Sequence, residues 1–235
     1  MTVFVFLLGF VEFVDRVFKI WLSVFEMRLL SFAETKKILD SSRLPLVQTV
    51  VTRSAKELFS RFAEMPKPVV LKPSGPEVLH KTERGLVFLN VSEREQLEEA
   101  IKKISSSVQG GFEFLMQQQL SGAELIIGGK LDSVFGPVVL FGTGGVYAEL
   151  LDDVAVRVAP LSENDAREMV WETHAKKFIS GFRSMKMSEA KIIDLLLKTG
   201  GLLLANPEIK ELDFNPVIAR DEEAWIVDAR IIVDK

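Results

Sequence analysis

The chain ends in two apolar, β-branched runs, which flank the polar turn RDEE. Two such runs around a short turn are typical of a β-hairpin. If the turn is centred on its two middle residues, Asn215 lies opposite Asp228, and Asp213 lies opposite Arg230. Because residues two apart on a strand share a face, this pairing predicts that Asp213, Asn215 and Asp228 cluster on one side of the hairpin.

This predicted cluster allows two interpretations. One or two carboxylates and an amide oxygen, with phosphate oxygens completing the shell, are the ligands that Mg²⁺ takes from a protein. In the plainer interpretation the Asn-Pro sequence ends a strand, and Asp213 and Arg230 form a surface ion pair. The spacing alone leaves both open.

Composition limits the class of protein. The 235 residues are 48% apolar and 26% charged, which is typical of a globular chain that forms one large domain or two small ones. The formal charge of −4 indicates no general affinity for nucleic acid. The chain has no cysteine, which excludes disulfides and thiolate metal sites and permits a reducing compartment. We therefore expect a cytoplasmic protein.

The order of the apolar patterns predicts an α+β fold with two lobes. Residues 27–115 alternate short helical and extended segments, whereas residues 116–235 hold four strand patterns, two helices and the final hairpin. Serines at 31, 92, 162 and 188 precede helical patterns and are expected to cap them. Ser31 with Glu34, and Ser92 with Glu95, have the spacing of capping boxes.

Residues 1–26 are dominated by large apolar side chains, but four charged residues between positions 12 and 19 interrupt them. A charge near the centre of a membrane-spanning helix costs about 2.5–3.5 kcal/mol, so no transmembrane helix is expected. The pattern of a signal peptide is also missing. Two interpretations remain: an amphipathic helix that contacts a membrane or partner, or a start site assigned upstream of Met27. The second is favoured.

Four residues that follow or begin strand patterns have chemistry suited to a nucleotide. Lys72 ends the run VVLK, where a point charge suits a phosphate. Gly144 and Gly145 lie in FGTGGV, a sequence whose backbone N–H groups can approach an anion. Glu124 begins a strand and is able to accept hydrogen bonds from a ribose. Each also has an ordinary interpretation as a solvated side chain or a turn.

His80 is one of two histidines in the chain, and it lies in a turn-rich segment beside Lys81. Its neutral ring at pH 7 is suited to act as a base or as a nucleophile toward phosphorus. No second histidine or cysteine is near it in the sequence, so a zinc site is not expected. A loop histidine without a role is the alternative.

Three sequence blocks together resemble a known family. They are PVVLKPSGPEVLHKTE, FGPVVLFGTGGVYAELLDDVAVRVAPL and PEIKELDFNPV…VDARIIV, in this order. They resemble the β subunit of the ADP-forming acetyl-CoA (acyl-CoA) synthetases, an ATP-grasp family related to succinyl-CoA synthetase. The similarity runs from about Ser31 to Asp234. It implies a two-lobed ATP-grasp fold that clamps ATP or ADP between its lobes, and an acid–thiol ligase activity.

The resemblance also implies roles for particular residues. Lys72 would contact the nucleotide phosphates, and Glu124 would hold the ribose. Gln118 lies in the hinge that would face the adenine, between Gln117 and Leu120. Gly144 and Gly145 belong to the glycine-rich loop.

For the reaction itself the resemblance implies a phosphoryl relay. Mg²⁺ would be bound by Asn215 and Asp228, with Asp213 beside them. Arg157 would lie near the transferred phosphate. His80 would receive a phosphoryl group from a histidine of a CoA-binding α subunit and pass it to Mg-ADP. By analogy the partners would form an α2β2 heterotetramer.

Three positions depart from the family pattern. Gln118 stands where the family has a glutamate, Leu86 follows Gly85 where the family has a second glycine, and Ser184 also replaces a glycine. These differences leave two alternatives open: a non-catalytic paralogue that binds nucleotide and regulates a partner, and an ATP-grasp ligase that joins a carboxylate to an amine without any histidine.

Overall fold

The computed structural model describes residues 27–75, 78, 84–108, 110–144, 153–182 and 185–234. His80, Gly145, Ser184 and the segment 1–26 lie outside the described residues. The described chain is α+β, with helices packed on antiparallel sheets.

The elements follow the order that the patterns predict, with strand β1 in addition. The helices are α1 (Phe32–Ser41), α2 (Ala55–Phe62), α3 (Arg94–Ser107), α4 (Glu163–Glu172), α5 (Lys176–Ile179) and α6 (Glu189–Ala205). The strands are β1 (Met27–Leu29), β2 (Thr49–Thr52), β3 (Val69–Ser74), β4 (Phe88–Val91), β5 (Glu113–Gln118), β6 (Ala123–Asp132), β7 (Gly136–Thr143), β8 (Val154–Val158), β9 (Ile209–Arg220), β10 (Glu223–Ile226) and β11 (Ala229–Asp234). The helical pattern after Ser162 is divided into α4 and α5, and the second run of the final hairpin is divided into β10 and β11.

Helix starts agree with the predicted caps at Ser31 and Ser162, are shifted by one residue at α3, and differ at α6, where Ser188 has the predicted position but its side chain makes no capping hydrogen bond. The Ser31–Glu34 capping box of α1 is present, and the Ser162 side chain caps α4. For α3 the cap is Glu93 rather than Ser92, because the Gln96 side chain accepts the backbone N–H groups of both residues, at 3.0 and 2.8 Å.

The smaller sheet has the strand order β2-β5-β3-β4. Its residues alternate between two faces. Val69, Leu71 and Met116 point to one face and pack in a core with the helices α2 and α3. Lys72 and Gln117 point to the other face, and both are buried. Buried polar side chains need partners, and both of these reach the corner between β10 and β11 of the larger sheet.

The larger sheet has the order β1-β11-β9-β6-β7-β8, with β10 paired to β9. Helices α1, α4 and α6 cover one face, where residues such as Phe141, Leu212 and Phe214 form the core. The other face carries Glu124 and Asp213, which alternate with those core residues along β6 and β9. We call this second face the open face.

The division between the lobes differs from the predicted boundary at residue 115. That residue lies inside β5, which pairs with β2 and β3 as far as Gln118. Strand β1 pairs with β11 at the edge of the larger sheet, and Leu39 and Leu44 pack in the larger core. Residues 27–47 therefore join the larger lobe, and the smaller sheet is inserted between them and β6. Such long-range pairing leaves no local pattern in the sequence.

The C-terminal hairpin has the predicted register. Ala219 pairs with Ala224, and Asp213 pairs with Arg230. At the corner between β10 and β11 the Asn215 N–H donates to the Asp228 carbonyl at 3.1 Å. The pairing around the RDEE turn is confirmed.

Within the part of the chain that the structure describes, no helix has the length and apolar character needed to cross a membrane.

Candidate functional site

Lys72 of β3 meets the corner between β10 and β11. The residue is 4% exposed, and its Nζ lies 3.6 Å from Asp228 Oδ2 and 3.4 Å from the Val227 carbonyl oxygen. A buried ammonium needs a counter-charge because desolvation disfavours it strongly. Lys72 and Asp228 thus place opposite charges where the two sheets face each other.

Gln117 of β5 reaches the same corner. It is fully buried, and its Nε2 donates to the Val227 carbonyl at 2.9 Å and to Thr49 Oγ1 at 3.0 Å. Its Oε1 is buried without a hydrogen-bond partner, which is costly for an acceptor. The sequence pattern alone gave Gln117 no role. The sequence feature that could have identified Gln117 is the alternation of β5. It puts Phe114 and Met116 on the helix side and Gln117 on the side of the larger sheet.

Gln118, the predicted hinge residue, ends β5. Its backbone N–H donates to the Gln48 carbonyl at 3.1 Å, and it pairs with Val69 of β3. It therefore lies where the chain leaves the smaller sheet for the larger one.

Three predicted metal ligands lie near one another on β9 and at the corner. Burial raises the pKa of Asp213, and the negative charges of Asp228 and Glu211 raise it further, against the opposing effect of Arg230. Asp228 is also the partner of Lys72. Within the described ranges no group of three or more His, Cys, Asp or Glu side chains is close enough to hold a metal ion.

These donors fit Mg²⁺. Asp213, Asp228 and Asn215 offer two carboxylates and an amide oxygen, which are hard ligands, and the protein usually supplies only part of a Mg²⁺ shell. A cation beside Asp213 would also favour its charged form, because the raised pKa reflects burial near like charges.

Glu124 and Gly144 form a second corner on the larger sheet. The Gly144 N–H donates to the Glu124 carbonyl at 2.7 Å. A Cβ on residue 144 would lie 3.0 Å from the Glu124 carbonyl carbon and 3.1 Å from its Cβ, so a side chain there would force Glu124 to shift. The Glu124 side chain is exposed on the open face. The two predicted nucleotide contacts thus touch each other.

The structure does not bring Arg157 to this group. Arg157 pairs with Val139 of β7, and through β6 it shares its face with Leu212, so it points toward the helices. It forms ion pairs with Glu172 and, at 3.5 Å, with Glu168 of α4. The hydrogen bond to Glu172 raises the pKa of Arg157. The alternation in VAVRV predicts that Arg157 and Ala155 share a face, and Ala155 is buried on the helix side.

Leu86 has a structural role. Gly85 adopts a left-handed conformation with φ of 62°, which glycine allows, and Leu86 is 1% exposed in the core of the smaller lobe. Leucine at this position therefore fixes the chain that leads into β4.

A cleft of about 300 Å³ opens next to Asp228, where the two lobes meet. Ser74 and Gly75 line it from the smaller lobe, and Arg28, Asp228 and Arg230 line it from the larger lobe. Val78 also lines it.

Comparison with known proteins agrees with this architecture. Residues 25–233 match the family model of the ATP-grasp domain. The chain is 36% identical over 216 residues to the acetate–CoA ligase [ADP-forming] I subunit beta of Pyrococcus furiosus, covering 88% of this chain and 93% of that one. It is 37% identical to the acetate–CoA ligase [ADP-forming] I of Archaeoglobus fulgidus over 86% of its length, but that match spans 30% of the relative.

A solved structure is also similar. It is dinucleotide forming acetyl-coenzyme A synthetase 1 of Candidatus Korarchaeum cryptofilum, in complex with coenzyme A and Mg-AMPPCP, with its phosphohistidine segment pointing towards the nucleotide binding site. The TM-score is 0.76 at 38% identity, and 87% of this chain and 92% of that chain are covered. The chain therefore belongs to the ATP-grasp family, with the β subunits of the ADP-forming acetate–CoA ligases.

Proposed function

We propose that this chain is the nucleotide-binding β subunit of an ADP-forming acyl-CoA synthetase, and that it moves a phosphoryl group between His80 and ADP. The observation that carries the proposal is the meeting of Lys72 and Asp228 from two facing sheets, at 3.6 Å. In an ATP-grasp protein this junction is where a nucleotide would be clamped.

Each residue contributes an ordinary interaction. Lys72 neutralises phosphate charge, and the Glu124 carboxylate accepts hydrogen bonds from the ribose hydroxyls. The backbone near Gln118 faces the adenine. Asp213, Asn215 and Asp228 hold Mg²⁺, which when bound neutralises the charge of the phosphates.

The transfer is a substitution at phosphorus. The P–N bond at His80 breaks, with its electron pair going to the ring nitrogen, as a terminal oxygen of ADP forms a new P–O bond. With the other ring nitrogen protonated, the leaving group is a neutral imidazole and the product is ATP. Positioning and charge neutralisation supply the catalysis, since phosphoryl transfer needs little covalent help from the protein. Arg157 stands outside this proposed set, because its guanidinium is paired with glutamates on the opposite face.

A partner would supply acyl-CoA chemistry. The match to the Archaeoglobus fulgidus relative covers 30% of that longer protein, so most of that protein lies outside the match. We propose a CoA-binding α subunit as the partner, in an α2β2 assembly in the cytoplasm. Acetate is the acid named for the Pyrococcus furiosus and Archaeoglobus fulgidus relatives, and we propose it as the first acid to test.

The test is the intact mass of the full chain after incubation with Mg-ATP, with and without the α subunit from the same genome. We expect a gain of one acid-labile phosphoryl group that His80→Ala abolishes. Peptide mapping should place the label on the peptide that contains His80 and not on the one that contains His174.

The control is Lys210→Met, which removes a surface ion pair of the larger sheet with Asp234, at 2.8 Å, and should leave the labelling unchanged. Nucleotide binding without labelling, even with the α subunit present, would instead identify a non-catalytic regulatory paralogue. Full ligase activity in His80→Ala would point to a carboxylate–amine ligase.

A further inference from the structure

A carboxylate on the helix-covered face of the larger sheet joins three elements. Asp153, directly before β8, is 9% exposed. Its Oδ2 accepts the Thr143 hydroxyl at 2.6 Å, and its Oδ1 accepts the backbone N–H of His174 at 2.9 Å. The His174 Nδ1 lies 2.8 Å from the same Oδ1. One side chain thus links the end of β7, the start of β8 and the turn between α4 and α5.

These contacts stabilise the charged form of Asp153. Burial raises the pKa of Asp153, but the hydrogen bonds from Thr143 and from the backbone and ring of His174 outweigh burial, so the pKa is lowered. The carboxylate is therefore ionised at neutral pH, and hydrogen bonds to an ionised acceptor are stronger than those between neutral groups.

Thr143 connects Asp153 to the proposed ribose contact, Glu124. It directly precedes Gly144, whose N–H donates to the Glu124 carbonyl at 2.7 Å. There is little free space between the two residues, since a Cβ on residue 144 would lie 3.0 Å from the Glu124 carbonyl carbon. Thr143 is covalently joined to Gly144, and Gly144 is hydrogen-bonded to Glu124, so a shift of Thr143 is passed on toward Glu124.

We infer that Asp153 is a positioning residue for nucleotide binding, which acts through Thr143 and Gly144 to set where the Glu124 carboxylate stands on the open face. The inference rests on the proposed function, since it requires Glu124 to bind the ribose. Asp153 itself does not face the nucleotide side. Its partner Thr143 pairs with Leu125, a residue of the larger core, so both lie on the helix-covered face.

Binding of two ligands separates positioning from general damage. We would measure the dissociation constants of Mg-ADP and Mg-2′,3′-dideoxy-ADP by calorimetry for Glu124→Gln, Thr143→Val, Asp153→Asn and the double variant Glu124→Gln with Thr143→Val. Glu124→Gln should weaken ADP by about tenfold, the size expected for a hydrogen bond to a charged group, and leave the dideoxy ligand almost unchanged.

Thr143→Val should weaken ADP binding by about threefold to tenfold and leave binding of the dideoxy ligand almost unchanged. This substitution removes the hydroxyl and keeps the β-branched shape. The double variant should be no weaker than Glu124→Gln alone, since residues that act as a unit are not additive. Thr143→Ser restores the hydroxyl and should restore ADP binding.

The matched control is Asp132→Asn at the other end of the β6–β7 hairpin. Asp132 accepts the backbone N–H groups of Val134 and Phe135, at 2.8 and 2.9 Å, but has no contact with the Glu124 corner. Both ligands should bind this variant as they bind the native chain.

The outcomes distinguish the two claims. If Thr143→Val weakens both ligands equally, or if its effect adds to that of Glu124→Gln, Asp153 is merely structural and the inference is overturned, while the role of Glu124 stands. If Glu124→Gln does not discriminate between the ligands, the proposed ribose contact fails and the inference fails with it.

Discussion

Lys72 combines burial and charge in a way that few surface lysines do. The residue is 4% exposed, and its ammonium lies within reach of the Asp228 carboxylate and the Val227 carbonyl. A lysine of this kind is held in one place, so a phosphate that enters the junction meets a positioned charge. The arrangement has a cost: removing one partner of a buried ion pair leaves the other uncompensated, at roughly 3–5 kcal/mol.

Lys72→Met should therefore weaken Mg-ADP by at least about tenfold and also lower the free energy of unfolding. Calorimetry and urea unfolding would measure the two effects. Lys210→Met, which removes a partly exposed lysine of the Lys210–Asp234 pair, is the control and should change ADP affinity little. Unchanged ADP affinity in Lys72→Met would contradict the phosphate role.

At the scale of elements, the β7–β8 hairpin is fastened to the helix layer by charged and polar contacts. Asp153 holds Thr143 and His174 on one side of it, and Arg157 holds Glu168 and Glu172 of α4 farther along β8. Among the described strands, β8 is at the edge of the sheet and pairs with β7 alone. These contacts fix its position instead.

Asp153→Asn should destabilise the chain by about 1–3 kcal/mol at pH 7, because it removes a charged acceptor. The native pKa of Asp153 is lowered, so its stabilisation is complete above the unfolded value of about 3.9. That stabilisation is lost as the pH falls through the lowered native pKa. Urea unfolding should therefore show the gap between the two proteins narrowing below about pH 4. A gap that stays constant with pH would refute the charge-based explanation.

The elements differ in how far the sequence predicts them. The register around RDEE is local, so the pairing of Asp213 with Arg230 follows from the turn alone. The alternation of β8 likewise predicts that Arg157 lies on the helix-covered face of the larger sheet. By contrast, the bond between Asp153 and His174 joins residues 21 apart in separate elements, and no period connects them. Likewise β1 has only three residues, and only its pairing with β11 defines it.

At the scale of the whole molecule, the larger lobe is built from both ends of the described chain. Met27 pairs with Asp234, and the smaller sheet is inserted between α1 and β6. The lobes meet through Lys72 and Gln117 on one side and Val227 and Asp228 on the other. Residues 27–31 should therefore contribute to the stability of the larger lobe, although most of that lobe is distant from them in sequence.

Shortening the chain from 27–235 to 32–235 should lower Tm by roughly 5 °C or more, since it removes β1, the Ser31 cap and the Arg28–Glu34 ion pair. Hydrogen exchange should quicken at the backbone amides of β11 and stay unchanged in β3 and β5. Faster exchange in β3 and β5 instead would mean that residues 27–31 support the smaller lobe, as a boundary at residue 115 requires.

The insertion also sets the order in which the chain assembles during synthesis. The strands of the smaller sheet are all complete once Gln118 has emerged, so this sheet is able to fold while the ribosome is still working. Helix α1 emerges earlier, yet the strand that it packs against, β11, is the last to be made. The apolar side of α1 therefore waits for its partner strand through most of translation, and α1 is a segment that a chaperone would protect in that time.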